Sequence, residues 1–161
     1  NITEDELQGQ GFVTVHHSFD VLKQMHGLSP SVIVKDDDKV IAYALVMLKE
    51  CRDLVPVLVP MFNEFDKAQF NNRPISQYKY YIIGQICVSK AYRGKGIFEM
   101  LYEKHRELYS LQYDFVLTEV SVRNQRSLRA HAKAGFKTIH RYKDATDDWE
   151  VILWDWATPG N

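Results

Sequence analysis

Tyr80-Tyr81-Ile82-Ile83-Gly84-Gln85-Ile86-Cys87-Val88 runs directly into Ser89-Lys90-Ala91-Tyr92-Arg93-Gly94-Lys95-Gly96 and then Ile97-Phe98-Glu99-Met100-Leu101. The first block is β-rich and largely apolar on both faces, the pattern of a central buried strand. The second is a glycine-bearing turn. Beyond it, Ile97, Met100, Leu101, Leu108 and Leu111 fall on one side of a predicted helix. A helix start leaves backbone N–H groups unpaired, and its peptide dipoles place partial positive charge there. Glycines let a phosphate approach with no Cβ in the way, and Arg93 and Lys95 add charge beside it. Strand, turn and helix together make a ready site for a pyrophosphate. The plainer alternative is a glycine-rich turn that binds nothing. A P-loop is excluded, because Gly96 is followed by Ile97 rather than Lys. A dinucleotide fingerprint is excluded as well, because Glu99 stands where its third glycine belongs.

Upstream, Phe12-Val13-Thr14-Val15 is a short β-prone run, followed by a predicted helix over residues 19–25. Val32-Ile33-Val34 reads as a strand that turns at Asp36-Asp37-Asp38 into a second, nearly all-apolar arm over residues 40–48. Residues 51–77 break the rhythm with Pro56, Pro60 and Asn71-Asn72-Arg73-Pro74, and read as an elaborated loop with a short helix over 62–70. Such segments serve as lids or substrate loops, or simply pack. Downstream, residues 115–122 form a strand, 124–134 a helix stopped by Gly135, and 136–142 and 150–156 a final strand pair. The order is mixed α/β around one sheet.

The 161 residues suit one compact domain, 1–161. Hydrophobic residues make up 45% and charged residues 25%, and the formal net charge is −1. That balance gives no global signal for nucleic acid or an anionic membrane surface. The two cysteines, Cys51 and Cys87, form no C-x-x-C, and no Cys/His cluster has zinc-ligand spacing, so a reducing cytoplasm is the expected location. No run of about 18 apolar residues could span a bilayer. Asn1-Ile2-Thr3-Glu4-Asp5-Glu6 lacks the cationic and apolar regions of a signal peptide; with no initial Met, the first strand or helix is read as open to being incomplete.

Arg93 and Gly96, between a central strand and a helix, match [QR]-x-x-G-x-[GA], and here the chain resembles the GNAT superfamily of acyl-CoA N-acyltransferases. Phe98 departs from the final Gly/Ala; it either crowds the phosphates or turns into the core. A second patch, Asn124-x-x-Ser127-x-x-x-His131-x-x-x-Gly135-Phe136, resembles the family's N-x-x-[AS]-x-x-x-Y-x-x-x-G-F. The resemblance covers roughly residues 32–156. It implies a mixed central sheet with splayed central strands flanked by helices, and acetyl-CoA as co-substrate. By the same resemblance, backbone groups of Ile86, Cys87 and Val88 would hold the pantetheine arm. Arg93, Gly94, Lys95, Gly96, Ile97 and Phe98 would hold the pyrophosphate, and Asn124 and Ser127 would contact the cofactor.

Acetylating an amine requires a deprotonated amine and a proton for the departing thiolate. Glu119 sits in the apolar run Val116-Leu117-Thr118-Glu119-Val120, where a lone carboxylate is costly to bury unless paired or functional. It falls where some family members carry a proposed general base; the alternatives are a half-exposed side chain or an ion pair with an Arg. His131 stands in the place of the family's acid Tyr. It is an acid, a surface histidine, or a sign that the acid role was dropped. Cys87 reads as a small buried hydrophobe rather than an acyl-enzyme nucleophile. Asp144, Asp147 and Asp148 either attract a cationic amine or form a solvated turn. The expected partner is a small-molecule or peptide amine, with residues 15–30 and 51–77 lining its site. The protein is expected to be a monomer, or a homodimer paired through Trp149, Trp154 and Trp156 if these are exposed. A non-catalytic acyl-CoA-binding module is the alternative function, and a plain interaction domain a third.

Overall fold

The computed structural model describes residues 15–156. Its main sheet has six strands in the order β1-β2-β5-β6-β8-β7. These are β1 (Val32–Asp36), β2 (Lys39–Met47), β5 (Tyr80–Val88), β6 (Phe115–Ser121), β7 (Lys137–Lys143) and β8 (Asp148–Asp155). All neighbours are antiparallel except β5 and β6. A β5-to-β6 parallel step needs a crossover, and helix α3 (Ile97–Tyr109) supplies it. Helices α1 (Phe19–Leu28) and α2 (Val59–Lys67) precede it, and α4 (Gln125–Ala134) joins β6 to β7.

Alternation along the strands sorts the core into two layers. Tyr80, Ile82, Phe115, Leu117, Val151 and Leu153 pack with Met25, Phe62 and Phe65 on the α1/α2 side. Tyr81, Ile83, Val116, Val120, Ile152 and Trp154 pack with Ile97, Leu101 and Tyr102 on the α3 side. A side-chain period of two puts successive residues of each strand into opposite layers.

Four expectations are corrected. The buried face of α3 is Ile97, Leu101, Tyr102, His105 and Tyr109, while Met100, Leu108 and Leu111 are exposed. The aromatic and histidine side chains take the interior because their polar tips find partners there: the Tyr102 hydroxyl meets His131, and the Tyr81 hydroxyl meets His105. Residues 51–77 are not mainly loop. They form two 3-10 turns (Lys49–Leu54 and Pro56–Leu58), helix α2 and the small β3/β4 hairpin (Gln69–Phe70 with Arg73–Pro74). Pro60 lies in the first turn of α2, where its missing N–H costs nothing, so the helix starts earlier than expected and ends at Lys67. Trp149 and Trp154 are buried and β8 is an interior strand, which removes that strand as a dimer edge. Finally, β8 begins two positions before the expected residue 150. The run Phe12-Val13-Thr14-Val15 lies, apart from Val15, outside the described residues. Among the described residues no helix is long and apolar enough to cross a membrane.

Candidate active site

The site starts from a break in the sheet. β5 and β6 pair only at Tyr80/Phe115, Tyr81/Val116 and Ile82/Leu117. On its other edge β5 carries a bulge: Leu45 faces Gln85 but Val46 faces Ile83, leaving Gly84 as the extra residue. A Cβ on Gly84 would come within 3.0 Å of the Met47 methyl, so this close approach favours glycine. The bulge bends β5 off β6. The Thr118 hydroxyl makes a last bridge to the Ile83 carbonyl at 2.9 Å. Beyond it the strands enclose a small cavity of about 80 Å³ reached by Gln85, Glu119, Asn124 and His131.

This cavity shares Ile86, Asn124 and Ser127 with a cleft of about 530 Å³ between the turn after β5 and helix α4. Of the residues expected to bind the cofactor, Ile86, Cys87, Val88, Arg93, Gly94, Gly96, Ile97, Phe98, Asn124 and Ser127 all line the cleft. Lys95 does not; its ammonium sits over the Tyr92 ring, 5.2 Å from the centroid. Gly94 and Gly96 have φ of 76° and 77°, a left-handed backbone that other residues adopt only under strain. A Cβ on either would meet nothing within 4 Å, so the space before the turn is open. The Arg93 guanidinium Nε donates to the Val88 carbonyl at 3.0 Å and ties the turn to the strand. Phe98 packs edge-on against Tyr102 and His131, with centroids 5.1 and 5.0 Å away, so it leans on the core.

The far wall of the cleft belongs to no motif singled out in the sequence. Arg126, Arg129 and Lys133 line it, spaced to share one face of α4, opposite the glycine turn. That spacing next to an anion-binding turn was the available signal. Asn124 caps the helix, its side-chain oxygen accepting from the Ser127 N–H at 3.2 Å. Lys133 reaches across to Glu99 in the first turn of α3 at 2.9 Å. That contact holds the Glu99 carboxyl below its usual range. A larger groove of about 860 Å³, between β1 and α3, contains none of the residues singled out in the sequence apart from Val32, Ile33, Val34, Met100 and Trp156.

Glu119 and His131 approach the small cavity from opposite layers, since Glu119 has the parity of Leu117 and α4 packs on the other face. Glu119 is neither solvent-facing nor paired with an Arg: it is partly buried and accepts a hydrogen bond from the Tyr142 hydroxyl. Desolvation pushes its carboxyl up to about 7; the Tyr142 hydrogen bond opposes this and nearby Asp144 adds to it. His131 is not a surface histidine, being only 1% exposed. Its Nδ1–H donates to the Ser127 carbonyl at 2.8 Å, so Nε2 accepts from the Tyr102 hydroxyl at 2.7 Å. Burial pushes its pKa down to about 4, which keeps the ring neutral near pH 7.

Cys87 stands in register opposite Tyr43. The acidic patch is used in a turn. Asp144 accepts from the Thr146 hydroxyl and from the Thr146 and Asp147 amides, and Asp147 from the Ser121 hydroxyl and the Arg123 guanidinium. Of the segments expected near the acceptor, the Val15 carbonyl takes a hydrogen bond from Gln85 at 2.8 Å and lines the small cavity. The 51–77 segment mostly packs the α1/α2 layer through Cys51, Leu58, Phe62, Phe65 and Ile75.

A profile of the Acetyltransferase (GNAT) family matches residues 3–136. Comparison with curated proteins found no match. Among solved structures, one similar chain is in the NatC complex bound to Gag peptide and CoA: 16% identity, TM-score 0.62, covering 94% of this chain and 87% of that one. Another is Chaetomium thermophilum Naa20 with a bisubstrate analogue: 14% identity, TM-score 0.64, covering 88% and 75%. A third is the ribosomal-protein-S18-alanine N-acetyltransferase from Escherichia coli: 14% identity, TM-score 0.59, covering 96% and 86%. At these identities the likeness is one of fold; the family match spans most of the sequence. The chain belongs to the GNAT acetyltransferase family and is an acyltransferase.

Proposed function

We propose that the chain, as a single domain, transfers acetyl from acetyl-CoA to a primary amine of a small molecule or peptide, by direct attack in a ternary complex. One observation carries this reading. Two left-handed glycines at a helix N-terminus open onto a cleft that leads, between parted strands, to a carboxylate with a raised pKa. The glycine turn and the Arg126/Arg129/Lys133 face suit the phosphates of CoA, and the exposed edges of Ile86–Val88 suit its amide-bearing arm. The donor thus enters from the α3/α4 side and the amine from the side of Val15 and Glu119. Peptide-bound and spermidine-acetylating relatives of this fold are consistent with an amine acceptor.

Glu119 is the proposed base. It takes a proton from the bound ammonium, and the freed lone pair attacks the thioester carbonyl carbon. The tetrahedral intermediate then collapses: the C–S bond breaks, the sulfur leaves as a thiolate, and the nitrogen's second proton passes through water to that thiolate. With a pKa near 7, Glu119 is poised for this at neutral pH. His131 has both ring nitrogens engaged, so its role here is to hold Tyr102 and the first turns of α4 while the thiolate takes its proton from water. A purely binding module remains the competing reading, favoured by that same engagement of His131.

The test is a thermal-shift titration with acetyl-CoA followed by a free-thiol assay across an amine panel. Stabilisation with turnover is expected. Stabilisation without thiol release on any amine favours the binding module, and no stabilisation at saturating ligand sinks both readings.

A further inference from the structure

Glu119 and Tyr142 lie on strands that do not touch. β8 runs between β6 and β7, with Glu119 opposite Val151, Val151 opposite His140, and Trp149 opposite both Ser121 and Tyr142. To reach Glu119, the Tyr142 phenol therefore crosses β8 diagonally over the face that carries Val151 and Trp149. Its hydroxyl donates to Oε2 of the carboxylate. The phenol is itself held. His140, two residues earlier on the same face, stacks against it with centroids 6.3 Å apart and planes at 21°. His140 Nε2 is 3.2 Å from Glu64 Oε2 on α2, and Glu64 is paired with Lys67. An anchor thus runs from α2 through β7 to the carboxylate.

A glutamate where β6 has parted from β5 has several rotamers to lose, and only one presents an oxygen to a given point. We infer that Tyr142 is a positioning residue of the transfer reaction: it holds Oε2 of Glu119 so that the other carboxylate oxygen faces the cavity between β5 and β6 and meets the acceptor amine. This rests on the reading of Glu119 as base. The hydrogen bond acts on the charged form of Glu119, so it also restrains how far burial raises the carboxyl. The groups that bear on this titration are few. Tyr142 and, past it, Asp144 come from β7 and its following turn, and His140 with Glu64 stands behind the phenol. Neutral His131 faces the same cavity from α4.

The experiment reads the Glu119 carboxyl directly, by carbon NMR of the full chain labelled with side-chain carboxyl ¹³C-glutamate; the Glu119 signal is assigned by its loss in Glu119→Gln. In Tyr142→Phe, which keeps the ring, the titration midpoint is expected to rise by about one pH unit, the worth of one hydrogen bond to a charged group. Tyr142→Gln restores an N–H donor and should bring it back toward wild type. With an amine accepted in the thiol-release assay, Tyr142→Phe should cut kcat about five-fold at pH 7, as the same shift predicts, and leave KM for acetyl-CoA unchanged. An identical titration in wild type and both Tyr142 variants overturns the inference, even if Glu119→Gln abolishes the acid limb of the rate profile. An unchanged limb in Glu119→Gln instead removes Glu119 as base, whatever Tyr142 does to its titration.

Discussion

Glu99 puts a negative charge on the wall of a cleft whose other charged lining residues are Arg93, Arg126, Arg129 and Lys133. It places a carboxylate in the first turn of α3, beside the glycines read as a phosphate cradle, and takes the Lys133 ammonium at 2.9 Å. An acid at a helix N-terminus stabilises the helix by roughly 0.3–1 kcal/mol at exposed sites. Here it also occupies the cation and the positive helix end that an incoming phosphate would use. Glu99→Gln is therefore expected to lower stability by a few tenths of a kcal/mol while tightening CoA binding by about three- to ten-fold at low salt. Isothermal titration with CoA at two ionic strengths measures this; the gain should shrink at high salt, and weaker binding by the variant would show that Glu99 contributes to the site. At this scale Glu119 was legible, because a carboxylate in an apolar strand requires an explanation. Its partner was not: Tyr142 is 23 residues away, and only the pairing of β6, β8 and β7 brings the two together.

Elements were legible where local chemistry decides them and illegible where a partner does. The step from β5 through the glycine turn into α3 follows from backbone rules alone, as does the stop of α4 at Gly135. Which face of α3 goes inside does not. Met100, Leu108 and Leu111 are as apolar as Ile97 and Leu101, yet the sheet takes the Tyr102–His105–Tyr109 side. Gly135 shows how tightly α4 is then set. It ends the helix at φ 105°, its N–H bonding to the Ala132 carbonyl at 3.1 Å, and a Cβ there would lie 2.9 Å from Nε1 of buried Trp154. Gly135→Ala combines left-handed strain of about 1–2 kcal/mol with displacement of an indole ring. We expect a loss of about 2 kcal/mol or more, seen as a lower urea midpoint at unchanged slope. Since α4 carries Arg126 and Arg129 and is capped by Asn124, a weaker thermal shift with CoA should accompany it; full stability would mean that Trp154 moves freely.

The sheet divides the molecule into two layers, and its buried titratable groups pull stability in opposite directions. On the α3 side, His105 and His131 are neutral and nearly inaccessible, with pKa values pushed down to about 4 by burial. The unfolded chain binds their protons from about pH 6.5 downward and the folded one does not, so each costs stability as pH falls from 6.5 to 4. Glu119, on the other face, has its pKa raised to about 7 from 4.5. Between those values the folded state holds the extra proton, so its contribution is full at the acid end and is lost as pH rises toward 7. From these three groups, two protons against one leaves a net loss of stability on acidification of about 1.4 kcal/mol per pH unit, and His17, whose pKa burial also lowers, adds to the loss. Glu119→Gln removes the opposing group, so its stability should fall more steeply than wild type by about 1.4 kcal/mol per pH unit between pH 6.5 and 4.5, and its advantage over wild type should be largest above pH 7. Urea unfolding in half-unit steps of pH measures both slopes. Parallel curves would mean that Glu119 does not titrate in this window, and its part in proton transfer would fall with them. This balance was not readable from the sequence, because each shift comes from burial under an element distant along the chain: β2 and β5 for His105, α3 for His131, β7 for Glu119.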